Sequence, residues 1–318
     1  MSDAAVVGLV VSMWRYPVKS MLGEELNATE VREQGLTGDR AYALVDAETG
    51  VIISAKLPRK WGALFDCRAT LDALTQVKIT LPDGAIVLGN AADVNEILSQ
   101  AFGRKVKLSI APPQTPSIEM YTPDIKDTPD ANTETNAAIR PNTFFDAATV
   151  HLLTTATLNQ FQSLKPTSRF ETRRFRPNFV IQPANGATGF VENEALLNPS
   201  MNRWVATFLE RPLNPPQVRD FESPRVPQNR GLGGKFISSF SNAENDWVGK
   251  TLEIGKEVYL SVTEPCPRCV MTTMPQSELP NDVDILRTIV RHNQGHVGIY
   301  ASVVQGGTIR RGDRVALV

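Results

Sequence analysis

The sequence predicts an α+β fold that is rich in β-strands and divided into two domains. Its 318 residues exceed what one hydrophobic core usually fills, and strand-like patterns outnumber helical ones in both halves. Residues 112–143 are rich in Pro, Thr, Asp and Asn and have no sustained apolar period, which is typical of a linker or a long loop. We therefore place the first domain at residues 5–120 and the second at residues 140–318.

The first half shows alternating apolar residues followed by turn residues. These patterns predict strands at residues 6–14, 41–46, 77–81 and 85–88, the last two joined as a hairpin by Pro82-Asp83-Gly84. Asn90 is expected to cap a helix whose apolar positions follow helical spacing and which ends at Gly103.

The second half continues with strands and two clear helices. Strands are predicted at residues 150–153, 179–181, 258–262, 297–304 and 314–318. Thr154 or Thr155 can cap one helix, and Asp282 begins another. Residues 192–246 are rich in Pro, Asn and Arg and indicate an insertion, either a solvated loop or a lid or partner-docking surface.

Composition excludes several classes of partner. A net charge of −1 gives no overall attraction to nucleic acid or to an anionic membrane. No run approaches the roughly 20 apolar residues of a membrane span, so no membrane anchor is expected. An odd count of three cysteines without a signal peptide argues against a disulfide scaffold and predicts a reducing, cytoplasmic location.

Two basic clusters are candidate anion sites. In residues 16–20, Lys19 and Ser20 present an ammonium and a hydroxyl at a turn, which suits a phosphate oxygen, although an exposed lysine at a turn is common. Residues 173–178 carry three arginines within four positions, and these repel one another unless an anion or carboxylates lie nearby. The alternative for the second cluster is a solvated basic turn.

The segment Cys266-Pro267-Arg268-Cys269 allows four interpretations. It can be a redox dithiol, although residues 270–273 are a poor helix start. It can be half of a zinc site completed by His292 and His296, although the loop between them is long for such a site. The two cysteines can be buried structural residues. One thiolate can bind a soft transition metal, with Arg268 countering negative charge.

These clusters, in their order and spacing, resemble the MOSC family with its N-terminal β-barrel domain, and within it the mitochondrial amidoxime reducing component and its bacterial counterparts. The resemblance covers most of the chain and is carried by residues 16–20, 38–40, 54–56, 175–178, 247–250, 266–273, 298–300 and 312–313. It implies an N-terminal β-barrel-like domain followed by a MOSC β-barrel domain with flanking helices.

The resemblance also implies a cofactor and its site. The cofactor is a mononuclear molybdenum on a pterin dithiolene (Mo-molybdopterin), with Cys269 as the metal ligand and catalytic residue. The implied cofactor-binding residues are Lys19, Ser20, Lys56, Thr154, Thr155, Arg176, Asn178, Arg268 and Tyr300. Lys56 departs from the family, since close relatives carry Arg there. The role of Cys266 stays open, while Cys67 is interpreted as core and His151 as a satisfied strand residue.

By the same resemblance the chain is expected to be a molybdenum-dependent oxidoreductase that needs no pyridoxal phosphate and reduces N-hydroxylated substrates such as amidoximes and hydroxylamines. Electrons would come from an external donor protein of cytochrome b5 or ferredoxin type. One alternative is a molybdenum cofactor carrier or sulfur-transfer module without turnover. A second alternative is a scaffold that has lost the metal site.

Overall fold

The computed structural model describes residues 5–72, 76–121, 134–184 and 244–318. The helices are α1 (Pro58–Trp61), α2 (Val94–Phe102), α3 (Thr155–Leu164), α4 (Thr172–Phe175) and α5 (Val283–Asn293), with 3₁₀ turns at Gly62–Asp66, Asn245–Trp247 and Val270–Thr273. The strands of the first half are β1 (Ala5–Arg15), β2 (Glu24–Leu26), β3 (Ala28–Arg32), β4 (Gly35–Leu36), β5 (Ala43–Asp46), β6 (Arg68–Leu71), β7 (Val77–Thr80), β8 (Ile86–Leu88), β9 (Val106–Ser109), β10 (Ser117–Tyr121) and β11 (Glu134–Ala138). Those of the second half are β12 (Val150–Thr154), β13 (Phe179–Pro183), β14 (Thr251–Ile254), β15 (Val258–Pro267), β16 (His296–Gln305), β17 (Gly307–Arg310) and β18 (Arg314–Leu317).

Seven strands close into a barrel. Their order is β13-β12-β16-β15-β14-β18-β1, and β1 pairs again with β13 to complete the ring, while β2 extends β1 on the outside. The interior is apolar and includes Val10, Leu152, Phe179, Leu260 and Ile299, each fully buried. Closure leaves no free strand edge within the ring. The predicted β-rich fold with a barrel and few helices is therefore confirmed.

The first strand of the chain belongs to this barrel of mainly C-terminal strands. β1 pairs antiparallel with β18 at Ala5↔Leu317 and with β13 at Met13↔Phe179. Arg15, at the end of β1, therefore leads directly from the barrel to residues 16–20. The domain bounds 5–120 and 140–318 stay a prediction.

A second core lies in the first half of the chain. Strands β6, β7 and β8 form one sheet and β5 pairs with β9. Trp61, Leu64 and Phe65 from α1 and the following 3₁₀ turn fill the space between these strands and α2. Met274, from the second half, packs into the same cluster, so the two halves of the chain share buried apolar surface.

The predicted linker at residues 112–143 is wrong at both of its ends. β10 and β11 pair antiparallel from Ser117↔Ala138 to Tyr121↔Glu134. Ile118 bridges to Ile52 and is buried with Ile139 and Phe144 in a small core of its own. The sequence pattern did not indicate these strands because so few apolar residues contribute to them.

Helix ends were predicted better at some positions than at others. Gly103 ends α2 in the left-handed conformation, and the side chains of Thr154 and Asp282 cap α3 and α5, as expected. However, α2 begins at Val94 and not after Asn90, because residues 91–93 form a turn. The predicted insertion at 192–246 lies outside the described residues except for its last three.

Within the part of the chain that the structure describes, no helix is long and apolar enough to cross a membrane.

Gly298→Ala is expected to destabilise the protein by about 2 to 5 kcal/mol, because a left-handed backbone and a clash add together. Gly298 has φ +76°, and an added Cβ would lie against the His151 Nε2 atom and 2.5 Å from the Leu152 carbonyl oxygen. Gly249→Ala is the matched control, since Gly249 has φ +80° and open space, and should cost only about 1 to 2 kcal/mol. Equal losses in urea unfolding would contradict this account.

Candidate active site

A cavity of about 440 Å³ lies between the first half of the chain and the barrel. This volume is in the range of small-molecule and cofactor sites. The predicted site residues that line it are Lys19, Ser20, Lys56, Arg176, Asn178, Arg268, Cys269 and Tyr300. Residues separated by more than 200 positions in the sequence thus meet at one place.

The cysteine segment forms one wall of the cavity. Cys266 lies at the end of the barrel strand β15 and is fully buried. Cys269 follows the strand and is half-buried, with a free thiol. The Arg268 N–H donates to the Gly295 carbonyl oxygen at 2.8 Å, which fixes the loop between them. Residues 270–273, predicted to be a poor helix start, form a 3₁₀ turn directly after Cys269.

Arg268 is held in one orientation beside Cys269. Its guanidinium donates to the Cys266 sulfur and to the Phe175 carbonyl oxygen, and only 8% of the residue is exposed. Tyr300 lies close to the same Cys266 sulfur, and burial first, then the charge of Cys266, raises the pKa of its hydroxyl well above 10. Cys266 therefore connects two predicted cofactor contacts, which accounts for a buried thiol at this position.

A lysine pair and a carboxylate form the second wall. Asp146 accepts from the Lys19 ammonium and from the Lys56 Nζ atom at 2.9 Å, and Lys19 also donates to the Phe144 carbonyl oxygen at 2.7 Å. Burial raises the pKa of the Asp146 carboxyl, but the charges of Lys19 and Lys56 outweigh it and hold that pKa well below its usual range. Two cations share one anion here, so the wall keeps a net positive charge.

Three cavity residues have a left-handed backbone. Ser20, Arg40 and Arg176 have φ values of 65°, 48° and 54°. Such conformations are strained for side chains with a Cβ and cluster at functional sites. Ser20 and Arg176 belong to the two predicted anion clusters, whereas Arg40 lies outside both.

Asn178 is a node of the hydrogen-bond network behind the cavity. Its Nδ2 atom donates to Asp39 Oδ2 at 2.9 Å, and its Oδ1 atom accepts from the His151 N–H at 3.0 Å. Asp39 also accepts from Arg40 and from the Tyr16 N–H. The side-chain amide of Asn178 therefore joins Asp39 to the backbone of His151 behind the cavity wall.

Thr154 and Thr155 do not lie at the cavity. Thr154 is fully buried, caps α3 and donates to Glu244 Oε2 at 2.6 Å, while Thr155 is the first residue of that helix. The structure thus does not bring these two predicted cofactor contacts to the other site residues. Because β12 ends where α3 begins, the side chain of Thr154 caps the helix and Thr155 is part of it, so neither side chain reaches the cavity.

Several cavity residues were not assigned from the sequence. The polar ones are Arg40, Asp146, His151, Arg174 and Thr272, and the apolar ones include Met120, Phe144, Phe145 and Met271. Arg40 lies in a motif that carried the family resemblance, and this signal could have found it. Asp146 has no neighbouring motif, because its role depends on lysines about 90 and 127 positions away.

His151 fits its predicted role as a satisfied strand residue in part, since it interacts with the backbone of Arg176 and Val297. It lies on β12 as expected, but it lines the cavity and its Nε2 atom has no hydrogen-bond partner within the described residues. Burial, and then the charge of Arg268, lowers the pKa of His151 well below 6.5, so the imidazole is neutral at pH 7. It adds no further charge to the basic walls.

The zinc interpretation gains no support from the structure. Among the residues that are described, no three His, Cys, Asp or Glu side chains come together in a way that could hold a metal ion. The Cys266 sulfur is engaged by Arg268. His292 and His296 therefore do not complete a site with the two cysteines.

Comparison with known families gives the decisive observation. The model of the MOSC N-terminal beta barrel domain matches residues 7–109, and the model of the MOSC domain matches residues 223–316. The chain belongs to the MOSC-domain family. MOSC domains are associated with binding of the molybdenum cofactor and with sulfurase-like proteins.

Solved structures and curated proteins were compared as well. The YuaD protein from Bacillus subtilis matches at 10% identity over 98% of this chain and 94% of that chain, with a TM-score of 0.41. YiiM from Geobacillus stearothermophilus matches at 14% identity over 64% of this chain and 73% of that chain, with a TM-score of 0.29. No curated protein matches this MOSC protein.

The residues present fit an anionic cofactor of the kind that MOSC domains bind. Arg176 and Arg268 are almost fully buried, and within the described ranges no carboxylate lies at ion-pair distance from either. Buried cations without a carboxylate partner are costly, so a matching anion is expected. The half-buried thiol of Cys269 on the same cavity would suit a soft metal.

Asp146→Asn is expected to make the stability of the folded protein less dependent on pH in the acid range. The folded pKa of Asp146 is depressed, so its stabilisation is complete above the unfolded pKa of about 3.9 and is lost as pH falls below that value. The difference in Tm between wild type and Asp146→Asn should therefore narrow between pH 6 and pH 2. A difference that stays constant over this range would contradict the ion pairing.

Proposed function

We propose that this MOSC protein binds a pyranopterin molybdenum cofactor in the cavity, with the Cys269 Sγ atom as its ligand to the metal. The observation that carries the proposal is the pair of buried guanidiniums of Arg176 and Arg268, which have no carboxylate partner in the described chain and face the same cavity as the Cys269 thiol. An anion bound in the cavity would pair with both.

The two basic walls suit the two ends of such a cofactor. Lys19, Lys56 and the hydroxyl of Ser20 would hold a phosphate, since ammonium and hydroxyl groups donate to its oxygens. Arg268 lies next to Cys269 and would balance the negative charge of sulfur ligands. When bound, the cofactor supplies two-electron redox and oxygen-transfer chemistry, while the protein supplies binding, orientation and charge.

We propose further that the protein reduces N-hydroxylated compounds such as amidoximes and hydroxylamines. Met120, Phe144, Phe145 and Met271 line the cavity together with the basic groups. Such an apolar surface would bind the organic part of a substrate and exclude water from the basic groups of the cavity. Neutral substrates are favoured, because a cation would meet the arginines and lysines of the site.

The reaction consumes protons as well as electrons. Conversion of an N–OH group to N–H and water takes two electrons and two protons. Tyr300 keeps its proton on Oη at neutral pH, because burial raises the pKa of the hydroxyl. It can therefore donate a hydrogen bond to a leaving oxygen in the cavity.

The electrons would come from a separate protein of cytochrome b5 or ferredoxin type. The chain contains three cysteines, fewer than the four that an iron–sulfur cluster usually requires. One of these, Cys67, is buried in the core of the first half.

The test is turnover of a simple aryl amidoxime by the cofactor-loaded, full-length protein with a chemically reduced viologen as donor. We expect amidine to form over many turnovers. If the protein holds molybdenum but forms no product with several N-hydroxylated compounds, the reductase proposal fails and the carrier or sulfur-transfer alternative is favoured.

A further inference from the structure

Two arginines of the site share one aromatic ring. The Arg176 Cζ atom lies 4.2 Å from the centroid of the Tyr16 ring, and the Arg40 Cζ atom lies 4.6 Å from it. Tyr16 itself is 2% exposed and is not among the residues that line the cavity, whereas both arginines are. The ring therefore lies behind the two guanidiniums.

The backbone of Tyr16 is fixed in this position. Its N–H donates to Asp39 Oδ1 at 2.7 Å, and its carbonyl oxygen accepts from the Arg40 N–H at 2.8 Å. Arg40 and Arg176 both have a left-handed backbone. Two side chains from distant segments are thus brought to the same ring by unusual conformations.

Two guanidiniums so close to each other repel, and the cost is greater where water is excluded. Burial, and then the charge of Arg40, lowers the pKa of Arg176 to about 10, which reflects this environment. Asp39 pairs with Arg40, but no described carboxylate lies at ion-pair distance from Arg176. The negative face of an aromatic ring attracts cations and offsets part of this repulsion.

The hydroxyl of Tyr16 does not explain why the residue is there. Its Oη atom is buried and makes no hydrogen bond within the described residues. Burial raises the pKa of this hydroxyl to about 12, so it carries no negative charge that could pair with an arginine. The contribution of Tyr16 to the site is therefore its ring.

We propose that Tyr16 is a positioning residue, whose ring holds the guanidiniums of Arg40 and Arg176 at the cavity as a preformed anion clamp. This inference rests on the proposed function in one respect, namely that the anion is the cofactor. The ring acts through the two arginines and does not touch the ligand. Without it, the guanidiniums would separate and the clamp would have to form at the moment of binding.

The test compares Tyr16→Phe, Tyr16→Leu and Phe65→Leu. Phe65 is the matched control, because it is equally buried and its ring lies 5.7 Å from the Arg176 Cζ atom, but it is not stacked with Arg40. Two properties are measured on full-length protein: molybdenum and pterin content after purification, and the rise in Tm of cofactor-free protein with inorganic pyrophosphate. Pyrophosphate is the probe for the clamp itself.

We expect Tyr16→Phe to keep both properties within about twofold, because the ring face that attracts cations remains. Tyr16→Leu should lose about tenfold or more in cofactor content and most of the pyrophosphate shift, whereas Phe65→Leu should lose neither. If Tyr16→Leu does not fold, Tyr16→Met, which fills similar volume without a ring face, takes its place.

Three results would overturn the inference: unchanged pyrophosphate shift in Tyr16→Leu or Tyr16→Met, equal losses in Phe65→Leu, or a loss in Tyr16→Phe as large as in Tyr16→Leu. Absence of molybdenum from wild type is a different result. It would contradict the proposed function, while the rise in Tm of the variants with pyrophosphate would still decide whether Tyr16 positions the arginines.

Discussion

Cys269→Ser is expected to abolish reductase activity while much of the cofactor stays bound. Mutation of a residue that hydrogen-bonds to a metal ligand typically lowers metal affinity or activity by about 10- to 100-fold. Replacement of the ligand itself should lower activity by more than this. Serine keeps the size of the side chain but does not offer a thiolate, which a soft, sulfur-bound metal prefers. The phosphate and pterin contacts do not involve Cys269, so they should retain the cofactor.

The measurement is the rate of amidoxime reduction per bound molybdenum. Cys67→Ser is the control, because Cys67 lies in the core of the first half and away from the cavity. It should leave the rate per molybdenum unchanged even if it lowers stability. Full activity of Cys269→Ser would show that the thiol is not the metal ligand.

Arg176→Met is expected to lower cofactor content by about tenfold or more and yet to change the stability of the cofactor-free protein by no more than about 1 kcal/mol. Removal of a buried charge without a carboxylate partner relieves a desolvation cost. This gain offsets the loss of one hydrogen bond, which Arg176 Nη1 donates to the Met21 carbonyl oxygen at 2.6 Å. A residue kept for ligand binding should behave in this way.

The neighbouring Arg174 provides the contrast. It is 1% exposed, and its guanidinium donates to the carbonyl oxygens of Arg169, Thr272, Met274 and Pro280. Arg174→Met leaves these buried acceptors without a partner. It should destabilise the cofactor-free protein by about 1 kcal/mol for each acceptor, and so by several kcal/mol in total. Similar urea unfolding curves for the two variants would contradict the division into a binding and a structural arginine.

Several residues of the candidate site could be found in the sequence because they lie in short motifs. Lys19 and Ser20 are neighbours in the sequence, and Cys269 is one of three cysteines. The structure brings all three to the cavity, while their roles toward a phosphate and a metal stay predictions. Strong apolar alternation likewise predicted β1, β12 and β16 within one or two residues.

Features that depend on distant partners were not predictable. Asp146 is one carboxylate among many until Lys19 and Lys56 are brought beside it. Thr154 has the residue type of a polar cofactor contact, but Glu244 and the start of α3 engage its hydroxyl. The pairing of β1 with both β13 and β18 joins opposite ends of the chain, and no local pattern indicates it.

The most direct test of the account is elemental analysis for molybdenum and zinc, together with pterin content, on the purified full-length chain. The cavity geometry predicts close to one molybdenum and one pterin per chain, and no stoichiometric zinc. Zinc without pterin would contradict it, and so would a chain that holds neither metal even after incubation with the cofactor.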